Sequence, residues 1–379
     1  MSHERHLVTG ATGFVGGALV LELLDRTDAE IVCLVRPRDD ADAAAARLER
    51  ALGEAMRAYA REDLAEAAAG RCRAVAGDLT LARCGVDAGA VGRVDEVWHC
   101  AASLEFEDEN EQEIFRHNVA GTGAVLDLAR ALEPTTFNYV STAYVAGLQS
   151  GRIAEVLQPA TTAVHNAYEK SKIHAELLVS EPHDFAVRIL RPSIVIGHSR
   201  TLAATSSTGM YGFIRGMLRI KRAVERQLGD YLRYRPLRVL ADRDGPLNLI
   251  PVDVVAANAV ALSLRGADAN IYHLTNACPT TVGEGVDLLC DELELRRPRY
   301  VANEREFTTL DRELNKGITF YAPYMRDERD FDRTNLDAVL GTEASTAPLP
   351  REALRGYVRW YLDRVSRRAS AEARSQLAA

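Results

Sequence analysis

The stretch that decides the fold is RHLVTGATGFVGGALVLELL, residues 5–24. An apolar run predicts a strand, three glycines spaced as G-x-x-G-x-x-G follow it, and an amphipathic run then predicts a helix. Glycines in this position allow a tight turn, so that backbone N–H groups and the helix N-terminus can approach a pyrophosphate without an intervening Cβ. Spaced glycines alone are weak evidence, but their place between strand and helix indicates a dinucleotide site. The turn residues expected to contact the cofactor are Gly10, Thr12, Gly13, Phe14, Val15 and Gly16.

Short apolar runs alternate with longer Ala- and Leu-rich stretches up to about residue 200, which is typical of βαβ units. We therefore expect an α/β fold with a doubly wound parallel sheet and a smaller C-terminal substrate lobe. The nucleotide-binding domain is predicted over 1–200 with a helical insert at 41–70, and the lobe over 201–365, with 246–275 returning to the sheet domain. The polar tail 366–379 is expected to be disordered.

The second predicted strand ends in CLVR, residues 33–36, without the acidic residue that usually binds the ribose 2′-hydroxyl of NAD. Arg36, together with Arg38, suits a 2′-phosphate instead, although Arg36 could also be an ordinary exposed charge. NADPH is therefore the expected cofactor. Asp78 and Leu79, which follow the third strand, are expected near the adenine, with a simple loop cap as the alternative role of Asp78.

Tyr168 and Lys172 stand four residues apart in a predicted helix, so both side chains project from one face. A nearby ammonium favours tyrosinate and should lower the pKa of the phenol, making it a usable acid near neutrality. Such a pair also arises by chance on solvated helices. The hydroxyl residues Ser141 and Thr142 strengthen the catalytic interpretation, because they end the fifth strand at the carboxyl edge of the sheet.

The chain resembles the extended short-chain dehydrogenases/reductases, which have a Rossmann fold. The shared motifs TGATGFVG, GDLT, HCAASLEF, HNVAGT, VSTAYV, YEKSK and LRPSIVIG occur in family order over residues 7–197, and PVDVV extends the match. The strand end CLVR, the Ala-rich insert and VSTAYVAG are most similar to the thioester reductases and fatty acyl-coenzyme A reductases. This resemblance implies catalytic roles for Thr142, Tyr168 and Lys172, with Ser141 as the fallback for Thr142. It also implies cofactor contacts from Ala101, Ala102, Asn118, Ser141, Arg191, Pro192 and Ser193.

Composition excludes several other classes of protein. The 46 basic and 54 acidic residues include no basic run suited to a nucleic-acid backbone, so no nucleic-acid partner is expected. The six cysteines contain no C-x-x-C pair and are interpreted as reduced core residues, with no metal site. Neither a spanning apolar run nor a signal sequence is found, so a cytoplasmic location is expected.

The lobe contains a predicted helix from Tyr211 to about Leu228 with two stripes. The apolar stripe consists of Met210, Phe213, Met217, Ile220 and Val224, and the basic stripe of Arg215, Arg219, Arg222 and Arg226. They predict an acyl-facing wall with a positive rim for coenzyme A, phosphopantetheine or an acidic carrier protein. The alternative is a core face beside a solvated face.

The expected activity is NADPH-dependent reduction of an acyl thioester, presented by coenzyme A or an acyl carrier protein, to an aldehyde. Further reduction to the alcohol and the oligomeric state are left open. A dehydrogenase or epimerase of a nucleotide sugar or other secondary alcohol is the alternative enzyme, because it would use the same catalytic group. A non-catalytic NADP-binding sensor is the remaining possibility.

Overall fold

Strands and helices alternate through the computed structural model, which describes residues 4–37, 42–104, 108–267, 270–326 and 328–377. The strands are β1 (Arg5–Thr9), β2 (Glu30–Val35), β3 (Cys72–Ala76), β4 (Glu96–His99), β5 (Thr136–Val140), β6 (Gly151–Ile153), β7 (Ala186–Pro192), β8 (Ile194–Ile196), β9 (Arg238–Leu240), β10 (Pro246–Leu247), β11 (Leu249–Pro251), β12 (Ile271–Leu274), β13 (Thr280–Thr281), β14 (Arg299–Val301) and β15 (Arg329–Phe331). The helices are α1 (Phe14–Arg26), α2 (Asp42–Tyr59), α3 (Ala65–Arg71), α4 (Ala88–Val91), α5 (Glu111–Phe115), α6 (Gly121–Leu132), α7 (Ala167–Val179), α8 (Met210–Leu228), α9 (Tyr231–Tyr234), α10 (Val252–Leu264), α11 (Val282–Glu292), α12 (Thr309–Asn315), α13 (Thr334–Leu340) and α14 (Arg351–Leu377).

The largest sheet has the strand order β3-β2-β1-β4-β5-β7-β12, and every neighbouring pair in it is parallel. Its central strands are apolar because helices cover both faces. The chain order reverses between β1 and β4, and ligands of doubly wound sheets bind at such a reversal, beyond the carboxyl ends of the strands. This topology confirms the predicted Rossmann-type fold.

Helices on the two faces of the sheet bury separate cores. On one face, Leu19 and Leu23 of α1 pack in one cluster with Val255 and Val260 of α10. On the other face, Val125 of α6 shares a cluster with residues of α7. The C-terminal half of α7 is thereby packed against the sheet, because Ala175 and Val179 belong to this core.

A third core lies in the lobe and is formed by α8, α11 and α14. Met217, Ile220 and Val224 of α8 are buried in it, together with Leu289 and Leu354. Three of the five residues in the predicted apolar stripe therefore belong to the core, which agrees with the alternative interpretation of that stripe as a core face. Only its first turn reaches the cavity described below.

Two regions differ from the sequence prediction. The largely apolar stretch DFAVRILRPSIVIG, residues 184–197, predicts one strand, but it divides at Ser193, after which β8 leaves the large sheet and pairs with β11. The helix α14 continues to Leu377, where a disordered tail was expected. Extension of an anchored helix requires no new nucleus, and the tail contains five Ala and three Arg residues, which favour helix.

Two features follow the prediction more closely. The Ala-rich insert forms α2 and α3, and β12 returns to the edge of the large sheet. The division of the chain into two domains stays a prediction. None of the helices in the described ranges has both the length and the apolar character needed to cross a bilayer.

Candidate active site

One cavity of about 730 Å³ runs from the glycine turn, past the ends of β4 and β5, into the lobe. Its lining includes most of the residues that the sequence indicated for cofactor and catalysis. These are Gly10, Thr12, Gly13, Phe14, Val15, Gly16, Arg36, Asp78, Leu79, Ala101, Ala102, Ser141, Thr142, Tyr168, Lys172, Pro192 and Ser193. The reversal of strand order between β1 and β4 brings these segments, which are distant in the sequence, together at the carboxyl ends of the strands.

The glycine turn is shaped for close approach of the backbone. Gly10 has φ +75°, and a Cβ at this position would lie 2.6 Å from the backbone nitrogen of Ala101. A Cβ on Gly16 would lie 2.2 Å from the carbonyl oxygen of Gly10, so the start of α1 can pack against the turn only with glycine there. Gly13 precedes the first turn of α1 without a side-chain cap. The turn therefore fits a dinucleotide pyrophosphate, whose charge suits uncapped N–H groups.

Two arginines meet where the adenosine ribose of a dinucleotide would lie. Arg36, at the end of β2, is exposed and lines the cavity. Arg47 of α2 also lines it, and its Nη1 donates to the carbonyl oxygen of Arg36. The helical insert therefore contributes to the nucleotide end of the cavity, which the sequence analysis did not foresee.

Asp78 both caps its loop and lines the cavity. Its Oδ1 accepts from the backbone nitrogen and the hydroxyl of Thr80, each at 2.9 Å. Desolvation opposes ionisation, but these hydrogen bonds and the charge of Arg36 outweigh it and hold the pKa of Asp78 below its ordinary value. Its two proposed roles are compatible, because the capped carboxylate remains at the cavity wall.

Hydroxyl groups and an ammonium group surround the reaction end of the cavity. Thr142 Oγ1 accepts from the backbone nitrogen of Tyr144 at 3.2 Å, which leaves its own hydrogen for another acceptor. Ser141 Oγ is buried and has no hydrogen-bond partner within the described part of the chain. Lys172 Nζ donates to the carbonyl oxygen of Val140 at 2.9 Å and lies 4.3 Å from the centroid of the Tyr139 ring.

Burial dominates the electrostatics of the catalytic pair. Desolvation, with a smaller contribution from the charge of Glu169, raises the pKa of Tyr168 above its ordinary value. The sequence predicts that Lys172 lowers this pKa, and that prediction is wrong because burial dominates. Burial also lowers the pKa of Lys172 to about 7, although Glu176 and Cys100 act in the opposite direction. Tyr168 is consequently a protonated donor at neutral pH, while Lys172 changes charge there.

Two residues predicted to contact the cofactor, Asn118 and Arg191, do not line the cavity. Asn118 is buried, and its amide binds the backbone of Ser103 and the hydroxyl of Ser171. Arg191 is fully buried and pairs with Glu176, with an Nη2–Oε2 distance of 2.6 Å. A buried guanidinium requires such a partner. Arg38 lies outside the described residues.

A network near the reaction end was missed by sequence reasoning. Tyr324, in the 3₁₀ segment Thr319–Met325 of the lobe, lines the cavity and donates to Glu169 Oε1 at 2.8 Å. Asn166, which caps α7, donates to the Tyr324 hydroxyl at 2.9 Å. The lobe is therefore bonded to the first turn of the helix that carries Tyr168. No local pattern in the sequence pairs residues 155 positions apart.

His99 was also overlooked, at the end of β4. Its ring bonds Thr9 at 2.7 Å and Thr122 at 3.0 Å. Burial, aided by the charge of Lys172, lowers the pKa of His99 to about 3. The ring is therefore neutral at physiological pH, and its two hydrogen bonds connect β1 to α6.

Comparisons with known proteins identify the family of this chain. The model of the family described as "Male sterility protein", a family of NAD-binding domains, matches residues 8–259. The isonitrile lipopeptide synthase of Mycobacterium tuberculosis is 32% identical over 312 residues, which are 76% of this chain and 12% of the synthase. The carboxylic acid reductase of the same organism is 31% identical over 309 residues, covering 76% of this chain and 25% of the reductase. The chain thus spans only a small part of each relative.

A solved structure extends the likeness over nearly the whole chain. The terminal R domain from the myxalamid PKS-NRPS biosynthetic pathway has a TM-score of 0.74 and 26% identity to this chain. The alignment covers 96% of this chain and 92% of that domain. The chain belongs to the male sterility protein family of NAD(P)-binding oxidoreductases, in the thioester reductase branch of the extended short-chain dehydrogenases/reductases.

Proposed function

We propose that this chain reduces an acyl thioester to an aldehyde with NADPH. The observation that carries the proposal is the continuous cavity, because it joins a dinucleotide turn to Thr142, Tyr168 and Lys172 and then to an apolar chamber. A carbonyl at the junction would face both hydroxyl donors while its acyl chain enters the lobe.

The residues at the junction suit reduction of a carbonyl. When bound, the cofactor supplies a hydride to the thioester carbonyl carbon. Thr142 donates a hydrogen bond to the carbonyl oxygen, and Tyr168 donates its proton as negative charge develops there. As the C–S bond of the resulting thiohemiacetal breaks, its hydroxyl returns the proton to Tyr168 and the leaving thiolate takes a proton from solvent, which releases aldehyde and thiol. Lys172, while protonated, favours this charge and supplies a donor for the nicotinamide ribose.

NADPH is favoured over NADH by the nucleotide end of the cavity. Arg36 and Arg47 supply two guanidinium groups there, and β2 ends without a carboxylate that would repel a 2′-phosphate. Arginine binds phosphate through several N–H groups in a planar arrangement.

The proposed carrier of the acyl group is coenzyme A or an acyl carrier protein bearing phosphopantetheine. Arg215, Arg219, Arg222 and Arg226 are exposed on α8, and the last three border a surface groove with Glu225. The first turn of the same helix lines the cavity through Met210 and Phe213. A phosphate or an acidic protein surface bound to this basic stripe would therefore lie along the helix that leads to the reaction end.

Product analysis with a panel of substrates tests the proposal. The protein and NADPH are incubated with acyl thioesters on N-acetylcysteamine, on coenzyme A and on a phosphopantetheinylated carrier, and in parallel with UDP-sugars. We expect aldehyde, trapped as an oxime, and free thiol from thioesters alone, and mass spectrometry then shows whether alcohol follows. Turnover of a UDP-sugar without thioester reduction would support the alternative dehydrogenase or epimerase.

A further inference from the structure

The lobe end of the cavity is a chamber formed by one face from each of three helices. Met210, Phe213 and Ile214 of α8, Val282, Gly285, Val286 and Leu289 of α11, and Leu354 and Val358 of α14 line it. The spacings of three and four residues place each set on one side of its helix. The chamber is thus built into the packing of the lobe.

The walls of this chamber are mainly apolar and largely withdrawn from solvent, with the phenol of Tyr321 beside Phe213 as a polar group. Leu289, Leu354 and Val358 are only 2%, 2% and 3% exposed, although they line the cavity. Among the described residues of this end none is charged, and the charged lining residues belong to the nucleotide and reaction ends. Asp287 of α11 bonds instead to Tyr300 and Arg243. An apolar enclosure of this kind favours an apolar occupant, because an unpaired charge inside it would be costly.

One glycine marks a narrow point of the chamber wall. A Cβ on Gly285 would lie 3.0 Å from Cδ2 of Leu247, which also lines the cavity. A larger side chain at this position would occupy the space between α11 and β10. Alanine requires only a small shift of a flexible leucine, whereas leucine would fill part of the chamber itself.

We propose that the acyl group of the substrate is an uncharged, mainly aliphatic chain that lies in this chamber, and that Gly285 sets the chain length accepted. This inference rests on the proposed function and narrows it. Short acyl groups with a terminal carboxylate or ammonium are therefore expected to be poor substrates. The chain binds beside the helix faces, and the thioester carbonyl remains at Thr142 and Tyr168.

A chain-length series tests the chamber. Butanoyl, hexanoyl, octanoyl and dodecanoyl thioesters of N-acetylcysteamine are compared, with glutaryl as the charged counterpart of hexanoyl. Burial of a methylene is worth about fourfold in affinity, so kcat/KM should rise by up to about two orders of magnitude from butanoyl to octanoyl. Glutaryl should react at least about 100-fold more slowly than hexanoyl, since its carboxylate would be buried unpaired. A flat series, or a preference for glutaryl, would overturn the inference.

Variants at position 285 test the role of the glycine. Gly285→Leu should lower the ratio of kcat/KM for dodecanoyl over butanoyl at least about tenfold, and Gly285→Ala by less. Gly53→Leu is the matched control, because Gly53 is a half-buried helical glycine outside the cavity. Circular dichroism melting verifies that each variant is folded. An unchanged ratio in folded Gly285→Leu would refute the role of Gly285.

Binding without turnover separates this inference from the proposed function. Octanamide is an inert, uncharged acyl analogue, and titration calorimetry should show that it binds more tightly than butanamide and more weakly to Gly285→Ala. If octanamide binds in this way but no thioester is reduced, the proposed function is wrong and the chamber stands. If thioesters are reduced but octanamide binds no better than butanamide, the chamber assignment is wrong.

Discussion

Removal of Arg36 and Arg47 should abolish discrimination between NADPH and NADH. Both side chains line the nucleotide end of the cavity, and Arg47 also donates to the backbone of Arg36, so it holds the end of β2 as well as adding charge. A charge-assisted hydrogen bond is worth about 1.5–3 kcal/mol, and the low end applies to an exposed group such as Arg36. We expect about a tenfold loss of kcat/KM for NADPH from each alanine substitution, and up to about 100-fold from the pair.

The assay measures kcat/KM for both cofactors at a fixed thioester concentration, with dissociation constants from nicotinamide fluorescence. Values for NADH should change less than threefold or so, because NADH has no 2′-phosphate to lose contact with. Arg50→Ala on the same helix is the matched control, since Arg50 is exposed and does not line the cavity. An NADPH/NADH ratio that stays unchanged in Arg36→Ala/Arg47→Ala would refute the assignment of this end of the cavity.

Three further predictions concern catalysis and capture of substrate. Tyr168→Phe should lower kcat by about 10² to 10⁴ while the dissociation constant for NADPH is retained, and near-normal turnover would remove Tyr168 from the mechanism. Because burial lowers the pKa of Lys172 to about 7, kcat/KM should fall as the pH rises through that value and the ammonium loses its proton. Lys172→Arg keeps the charge and should flatten this limb of the profile; a profile that rises from pH 7 to 9 would contradict the role of the ammonium. Charge reversal of Arg219 and Arg222 should raise KM for carrier-bound thioesters and weaken its salt dependence, whereas kinetics unaffected by salt would favour a merely solvated face.

Local motifs made much of the site predictable. Gly10 and Gly16 lie within seven residues of sequence, and the tight turn leaves no space for a Cβ at either position. Tyr168 and Lys172 share a helix face by spacing alone. Each of these pairs depends on short-range geometry, which a single sequence records directly.

Residues whose roles depend on tertiary pairing could not be inferred in the same way. Arg191 looked suited to a cofactor contact, but Glu176 of α7 neutralises it in the core. Arg47 lies in the predicted helical insert, and its place at the cavity could not be inferred because the orientation of α2 against β2 is not encoded locally. Tyr324 reaches α7 from the far end of the chain. In each case the partner, not the residue type, decides the role.

The transfer of hydride to a thioester carbonyl can be followed directly. The protein is incubated with octanoyl N-acetylcysteamine and NADPH deuterated at both C4 positions, under single-turnover conditions, and the aldehyde is trapped as its oxime for mass spectrometry. We expect one deuterium at C1 of octanal and one free thiol for each NADPH oxidised, with no product from the same mixture containing Tyr168→Phe on that timescale. Oxidation of NADPH without thiol release, or octanal that carries no deuterium, would contradict the assignment of this cavity as a thioester reductase site.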